Sequence, residues 1–173
     1  MKKILTILIA ISCQFAYSQE ILLPEINPND IIVKHYAYTL NYNEEHEQAE
    51  WVAYILTKDR VYGTVKRTNN FRPDPKVKTG SATLADYKGS GYDRGHLAPA
   101  ADMKWSATAM SESFYMSNMS PQRPGFNRGI WKRLEQLVRT WAVEYEEIHV
   151  VTGPVLKGSF KSIGPNQVSV PEY

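Results

Sequence analysis

The sequence predicts an α+β domain, with a central antiparallel sheet flanked by helices and long loops. Three observations carry that prediction. Residues 33–41 and 49–57 are dominated by aromatic and β-branched side chains, and the polar run Asn43-Glu44-Glu45-His46-Glu47 lies between them. Two adjacent antiparallel strands with a polar connection have this pattern. Residues 60–92 are crowded with Pro, Gly, Asn, Asp and Lys, which predicts one long loop. Loops of that length in compact domains are functional or mobile. Finally, Ile130, Trp131, Leu134, Leu137, Val138, Trp141, Ala142 and Tyr145 recur at three- and four-residue steps. They predict a long amphipathic helix with one apolar stripe.

The remaining elements follow in order. Residues 92–97 read as a short extended piece stopped by Pro99. Residues 105–116 have helical character, with Ser106 placed as an N-cap. Residues 117–125, which include Pro121, Pro124 and Gly125, read as irregular. Residues 148–152 form a β-branched strand ended by Gly153-Pro154, and 168–170 begin another. No repeat, low-complexity segment or Gly/Ser linker divides the chain, so residues 19–173 are expected to be a single domain. The strand-like ending Gln167-Val168-Ser169-Val170-Pro171-Glu172-Tyr173 has no closing element after it. The expectation is a domain truncated at its C-terminal end.

The first 18 residues read as a removable export signal. Lys2 and Lys3 precede an apolar run at 4–11, and Ala16-Tyr17-Ser18 offers small residues for a cut after Ser18. The apolar run falls short of the roughly 20 residues that a permanent anchor needs. The mature protein is therefore expected to be secreted or periplasmic, with no permanent membrane anchor. Cys13, following Ala10-Ile11-Ser12, leaves lipidation open as an alternative. It is the single cysteine, so the mature chain has no disulfide, and metal sites built from thiolates are excluded.

Charge is uneven along the chain. Residues 19–59 carry two basic and eight acidic groups, whereas residues 60–133 carry 13 basic and five acidic. A field of that sign attracts a polyanion and weakens with salt. The competing reading is a surface whose cations pair with the acidic ends after folding.

The positive stretch also holds the residues suited to chemistry. His96 closes the run Gly91-Tyr92-Asp93-Arg94-Gly95-His96. A neutral imidazole takes a proton from water near pH 7, and Arg94 offers fixed donors to phosphate oxygens. Gly95 leaves room for a ligand to approach the backbone. Asn127 opens the helix Asn-Arg-Gly-Ile-Trp-Lys-Arg-Leu-Glu, and its amide oxygen is a hard neutral ligand appropriate to Mg²⁺. Asn127 also reads as a helix N-cap. Glu135 lies two turns on, about 12 Å along the axis, leaning back toward Asn127. Its alternative role is a surface pair with Arg139. Arg67 and Arg72 are both candidates for transition-state charge, with Arg67 preferred. Asp93 and Asp102 are expected to hold a loop or an arginine in place.

Together Asp93-Arg94-Gly95-His96, Ser117-Asn118 followed by Pro121-Gln122, and residues 127–135 resemble the DNA/RNA non-specific endonuclease family of secreted ββα-metal nucleases. The likeness runs from about residue 36 to 155, including Trp51-Val52-Ala53-Tyr54 and residues 67–74. It implies a ββα-metal active site in which His96 is the general base and Asn127 the sole protein ligand of Mg²⁺, with Mn²⁺ as an alternative ion. Glu135 would orient water at the metal, and Arg94 and Arg67 would stabilise the phosphate. The expected activity is endonucleolytic hydrolysis of DNA and/or RNA, held through backbone phosphates with weak sequence selectivity. A homodimer is left open. Two rivals remain: an exported polyanion-binding protein that does not cut, and a phosphodiesterase for a small substrate.

Overall fold

The computed structural model describes residues 21–158 and 160–172; the expected leader, with Cys13, lies outside them. The first predicted strand proves to be two. β1 (Ile31–Lys34) and β2 (Thr39–Asn43) are antiparallel, with Val33 opposite Leu40. The chain reverses between them without a Gly or Pro, and the His35 amide donates to the Tyr38 carbonyl at 2.8 Å. A side contact fixes the bend: His35 Nε2 and Ser117 Oγ both bond Asp74 Oδ2, at 2.8 and 2.6 Å. The β-forming residues are there, but a buried histidine breaks their run. β3 (Gln48–Thr57) pairs antiparallel with β2 across a bulge at Asn41/Tyr42, and Val52 through Leu56 are all buried. A strand covered on both faces loses simple alternation.

The predicted long loop contains two single helical turns. α1 (Lys58–Val61) is capped by Thr57, and α2 (Leu84–Tyr87) begins with a Thr83/Asp86 capping box. β4 (Asp93–His96) follows as expected, then a 3₁₀ turn at Ala100–Met103. α3 (Ala107–Glu112) has Ser106 as its N-cap but ends before the predicted limit, and a 3₁₀ turn at Met116–Asn118 succeeds it. The stretch expected to be irregular holds β5 (Met119–Gln122), antiparallel to β4 with Gly95 opposite Ser120. Pro121 is tolerated because this ribbon has only two strands, so one side of β5 needs no ladder donor.

A π-helical turn at Phe126–Trp131 leads into α4 (Lys132–Glu144). β6 (Glu147–Thr152) then returns beside β3, completing a sheet of order β1-β2-β3-β6. β7 (Lys161–Ile163) and β8 (Val168–Val170) form a hairpin, of which only β8 was legible in the sequence. Leu40, Val52, Tyr54, Leu56, Leu97 and Met103 belong to the main core, and α4 meets it through Ala142 and Val138. The rest of the predicted α4 stripe does not face inward. Ile130 is 59% exposed and Tyr145 65%, with Leu134, Leu137 and Trp141 between them also open to solvent. The inward side is shifted because it also carries Glu135 and Arg139, which line a cleft. Among the described residues no helix is long and apolar enough to cross a membrane.

Candidate active site

Side chains alternate across a strand, so Arg94 and His96 emerge from one face of β4, with Asp93 and Gly95 on the other. The head of the π-helical turn closes against the end of this ribbon. Between them lies a cleft of about 320 Å³ lined by Arg67, Arg94, His96, Asn127, Glu135 and Arg139, among others. His96, Arg94, Arg67, Asn127 and Glu135 thus meet in one place. Arg72 does not line it: its guanidinium donates to the Ser111 carbonyl at 2.9 Å and lies 4.0 Å over the Tyr115 ring.

His96 sits in an aromatic box. Its ring is edge-on to Phe114 at 5.1 Å and to Phe71 at 5.7 Å. Those two phenyl rings also carry the flanking cations, with Arg67 over Phe114 at 4.7 Å and Arg94 over Phe71 at 4.2 Å. Burial, followed by the charges of Arg67 and Arg94, lowers the imidazole pKa from its usual 6.5 to about 3. The ring is therefore neutral near pH 7. Its Nε2 is buried without a hydrogen-bond partner.

Asn127 is not an N-cap. Its amide N–H donates to the Arg123 carbonyl at 2.9 Å, as in a helix already under way. Its side-chain Nδ2 donates to Asp93 Oδ2 at 2.9 Å. Only the NH₂ end can donate to a carboxylate, so the amide oxygen is turned away from Asp93. The same carboxylate receives Arg128 through Nη2 at 2.6 Å and Nε at 2.8 Å. The Asp93 pKa is held down first by the Arg128 bond and then by the amide of Asn127, against the opposing effect of burial.

Glu135 makes no hydrogen bond or ion pair among the described residues. Burial, then the nearby Asp102 charge, raises its pKa to about 7. Arg139 is not its partner, contrary to the surface pairing the spacing allowed. Arg139 Nη1 donates instead to buried Asp102 Oδ1 at 2.7 Å, and the Tyr54 hydroxyl donates to Oδ2 at 2.8 Å. The cleft cations are therefore not neutralised by the acidic ends of the chain. Arg128 and Arg139 pair with Asp93 and Asp102, both from the basic middle, while Arg67 and Arg94 rest on aromatic rings.

The donor set suits a hard divalent ion that keeps most of its waters. It offers one carboxamide oxygen and an unpaired carboxyl in one cleft. No group of three or more His, Cys, Asp or Glu able to hold a metal occurs among the described residues.

Sequence reasoning missed several parts of this site. Phe71 and Phe114 had no signal beyond being aromatic, and Tyr54 looked like an ordinary strand residue. Gly95 was read as clearance for a ligand, but the space over its Cα is filled. A Cβ there would lie 2.1 Å from Gln122 Cδ. The glycine is needed by the protein's own packing.

A two-stranded ribbon bearing the histidine, followed by a helix whose head bears the asparagine, is the ββα frame of a metal-dependent nuclease fold. The chain belongs to the DNA/RNA non-specific endonuclease family, whose sequence profile matches residues 23–173. It is 38% identical over 148 residues to "Nuclease EXOG, mitochondrial" of Danio rerio, covering 79% of this chain and 43% of that protein. It is likewise 38% identical over 149 residues to "Endonuclease G, mitochondrial" of Homo sapiens, covering 79% and 50%. A "Nuclease" of Nostoc sp. is 36% identical over 150 residues, covering 86% and 54%. Among solved structures, a chain of an EndoG/EndoGI complex matches with a TM-score of 0.76 at 32% identity, covering 81% of this chain and 63% of that one. The chain spans about half the length of the curated relatives it matches.

Proposed function

We propose that this protein is an endonuclease that hydrolyses phosphodiester bonds of DNA and/or RNA, using a histidine base and a single Mg²⁺ (or Mn²⁺). One observation carries the reading: His96 and Asn127, 31 positions apart in sequence, line the same cationic cleft. His96 takes a proton from the water that attacks phosphorus, and its enforced neutrality keeps it ready to do so. Arg67 and Arg94 offer fixed positive charge to the phosphate as its negative charge grows, the contribution expected of preorganised cations. The amide oxygen of Asn127 would hold the ion, and Glu135, once deprotonated, would orient water beside it. When bound there, Mg²⁺ supplies Lewis-acid stabilisation to the phosphate and the departing oxygen.

Residues 19–173 are inferred to form one nuclease domain, since the cleft gathers residues from 67 to 139 with no linker dividing them. Export through residues 1–18 rests on the basic start, the short apolar run and the small residues before the cut. The two mitochondrial relatives carry their location in their own names, and the secreted or periplasmic assignment for this chain is tested by following its processing and fractionation. A binding protein without catalysis would have no use for a neutral buried histidine in one cleft with an available carboxamide oxygen, which favours cutting over the polyanion-binding rival.

Plasmid digestion tests the reading. Wild type with Mg²⁺ should cut, and removal of the ion with EDTA or substitution of His96→Ala or Asn127→Ala should stop it. The two variants should retain the wild-type circular dichroism spectrum. Undiminished cutting by His96→Ala eliminates the base. A small chromogenic phosphodiester cut faster than plasmid would favour the small-substrate rival.

A further inference from the structure

Asp102 takes no step in the hydrolysis, yet it is a carboxylate at 1% exposure next to the cleft. The 3₁₀ turn fixes its backbone, where its amide donates to the Pro99 carbonyl at 3.0 Å. Different elements satisfy its two oxygens. The hydroxyl of Tyr54, from the buried middle of β3, donates to Oδ2 at 2.8 Å. Arg139 Nη1, from α4, donates to Oδ1 at 2.7 Å.

Arg139 has a second carboxylate within reach. Glu135 precedes it by four residues on α4, and a Glu placed N-terminal to a cation at this spacing is the favourable order for a helical ion pair. Arg139, Arg67 and Lys132 are all close enough for their charges to act on Glu135. None of them bonds it among the described residues. Arg67 is occupied elsewhere, with Nε donating to Asn69 Oδ1 and its guanidinium over Phe114. For Arg139, burial decides between the two acids. The Asp102 side chain is sealed from water, whereas Glu135 is half-buried at the wall of an open cleft. A carboxylate without water loses far more by going unpaired than one that water can reach, so Asp102 takes the guanidinium.

We propose that Asp102 is a positioning residue for hydrolysis: by holding Arg139 it keeps the guanidinium off Glu135, whose oxygens stay free to orient water. The inference rests on the nuclease reading of the cleft and adds to it a residue that acts through another. A carboxylate engaged by a guanidinium spends its lone pairs on N–H donors and has fewer left for water. Without Asp102, Arg139 turns to its neighbour on the helix. The cleft then keeps every side chain it had but loses an acceptor.

The change of partner is read first without metal or substrate. Melts in EDTA are run at about pH 8, above the Glu135 pKa of about 7, so that this carboxyl is ionised. They follow a double-mutant cycle of Glu135→Gln and Arg139→Gln, once beside Asp102 and once beside Asp102→Asn. The coupling between Glu135 and Arg139 should be weak beside Asp102 and about three-fold larger beside Asp102→Asn. Should Asp102→Asn fold poorly, the pair Asp102→Ala with Tyr54→Phe removes the carboxylate together with the hydroxyl it would strand, and should give the same increase. Cutting at limiting Mg²⁺ is measured separately. Asp102→Asn should be slower than Arg139→Gln by about ten-fold. Adding Arg139→Gln to Asp102→Asn should bring the rate back to that of Arg139→Gln alone, because the blocking cation has gone. A residue that merely steadied the fold would lower the rate with or without Arg139. An unchanged coupling, or Asp102→Asn no slower than Arg139→Gln, would overturn the proposal. If the coupling rises but wild type does not cut, the nuclease reading falls and the partner exchange stands. Cutting by wild type with a flat coupling defeats the exchange alone.

Discussion

Asp93 and Asn127, 34 positions apart in sequence, are joined by a hydrogen bond of 2.9 Å from the amide nitrogen to the carboxylate. The bond settles which end of the carboxamide is available, because the NH₂ is occupied and the oxygen is not. Second-layer partners of this kind typically affect metal affinity 10–100-fold. Asp93→Ala should therefore raise the Mg²⁺ concentration for half-maximal cutting by about that factor, with a smaller effect for Asp93→Asn, which can still accept. Metal titrations of activity for the three proteins check it. An unchanged Mg²⁺ requirement in Asp93→Ala would show that the amide needs no such hold.

Much of this geometry is legible in the sequence. The ordered motifs placed His96, Arg94, Asn127, Glu135 and Arg67 in one site, and strand and helix types were legible where side-chain periodicity was strong, as in β3, β6 and α4. What stayed hidden depends on contacts between distant segments. The turn at His35 exists because Asp74, 39 positions on, reaches it. β5 forms although its sequence reads as a loop, because β4 offers a partner and the second edge asks nothing of Pro121. The apolar stripe of α4 is legible as periodicity, but its direction is not. Periodicity reports that a helix has an apolar side, whereas the direction it faces is decided by what Glu135 and Arg139 are required to reach.

The two loop arginines separate cleanly. Arg67 faces the cleft and is held by Asn69 Oδ1 at 2.7 Å, while Arg72 is spent on the Asn70 and Ser111 carbonyls. Arg67→Ala should lower kcat by about 10²-fold or more, the usual cost of removing one preorganised group at a developing charge. Arg72→Ala should leave the chemical step largely intact and lower thermal stability, since it unties two carbonyls and a ring contact. Steady-state kinetics beside thermal melts distinguish them. The reverse pattern would transfer the transition-state role to Arg72.

The two titratable groups of the cleft should be visible as different parts of the pH–rate profile. His96 is held down near 3 by burial and by Arg67 and Arg94, so it is already neutral throughout the working range and contributes no limb near neutrality. Glu135 is held up near 7, first by burial and then by Asp102, against the pull of Arg139, Arg67 and Lys132. Below that pH it carries a proton and has no charge to offer. Cutting at limiting Mg²⁺ should therefore rise with pH through about 7, and the midpoint should fall as Mg²⁺ is raised, because a cation favours the carboxylate. Glu135→Gln should have a lower plateau and no such limb. A limb that survives in Glu135→Gln belongs to another group.

Gly95 provides the most local test of how the ribbon holds His96. A Cβ at this position would overlap Gln122, at 2.1 Å from Cδ and 2.3 Å from Oε1, and Gln122 is itself buried. Gly95→Ala must therefore push the glutamine side chain aside or spread β4 from β5, and either displacement moves the residue next to the base. The expected loss is about 1–3 kcal/mol of stability, the usual range for overpacking, together with a drop in kcat. Gln122 Oε1 makes no hydrogen bond among the described residues, so the glutamine can be shortened without stranding a partner on that atom. Gln122→Ala should then relieve most of the damage when combined with Gly95→Ala, giving a strongly non-additive double-mutant cycle. Additive losses would mean that the glycine is required for its backbone and not for the space above it.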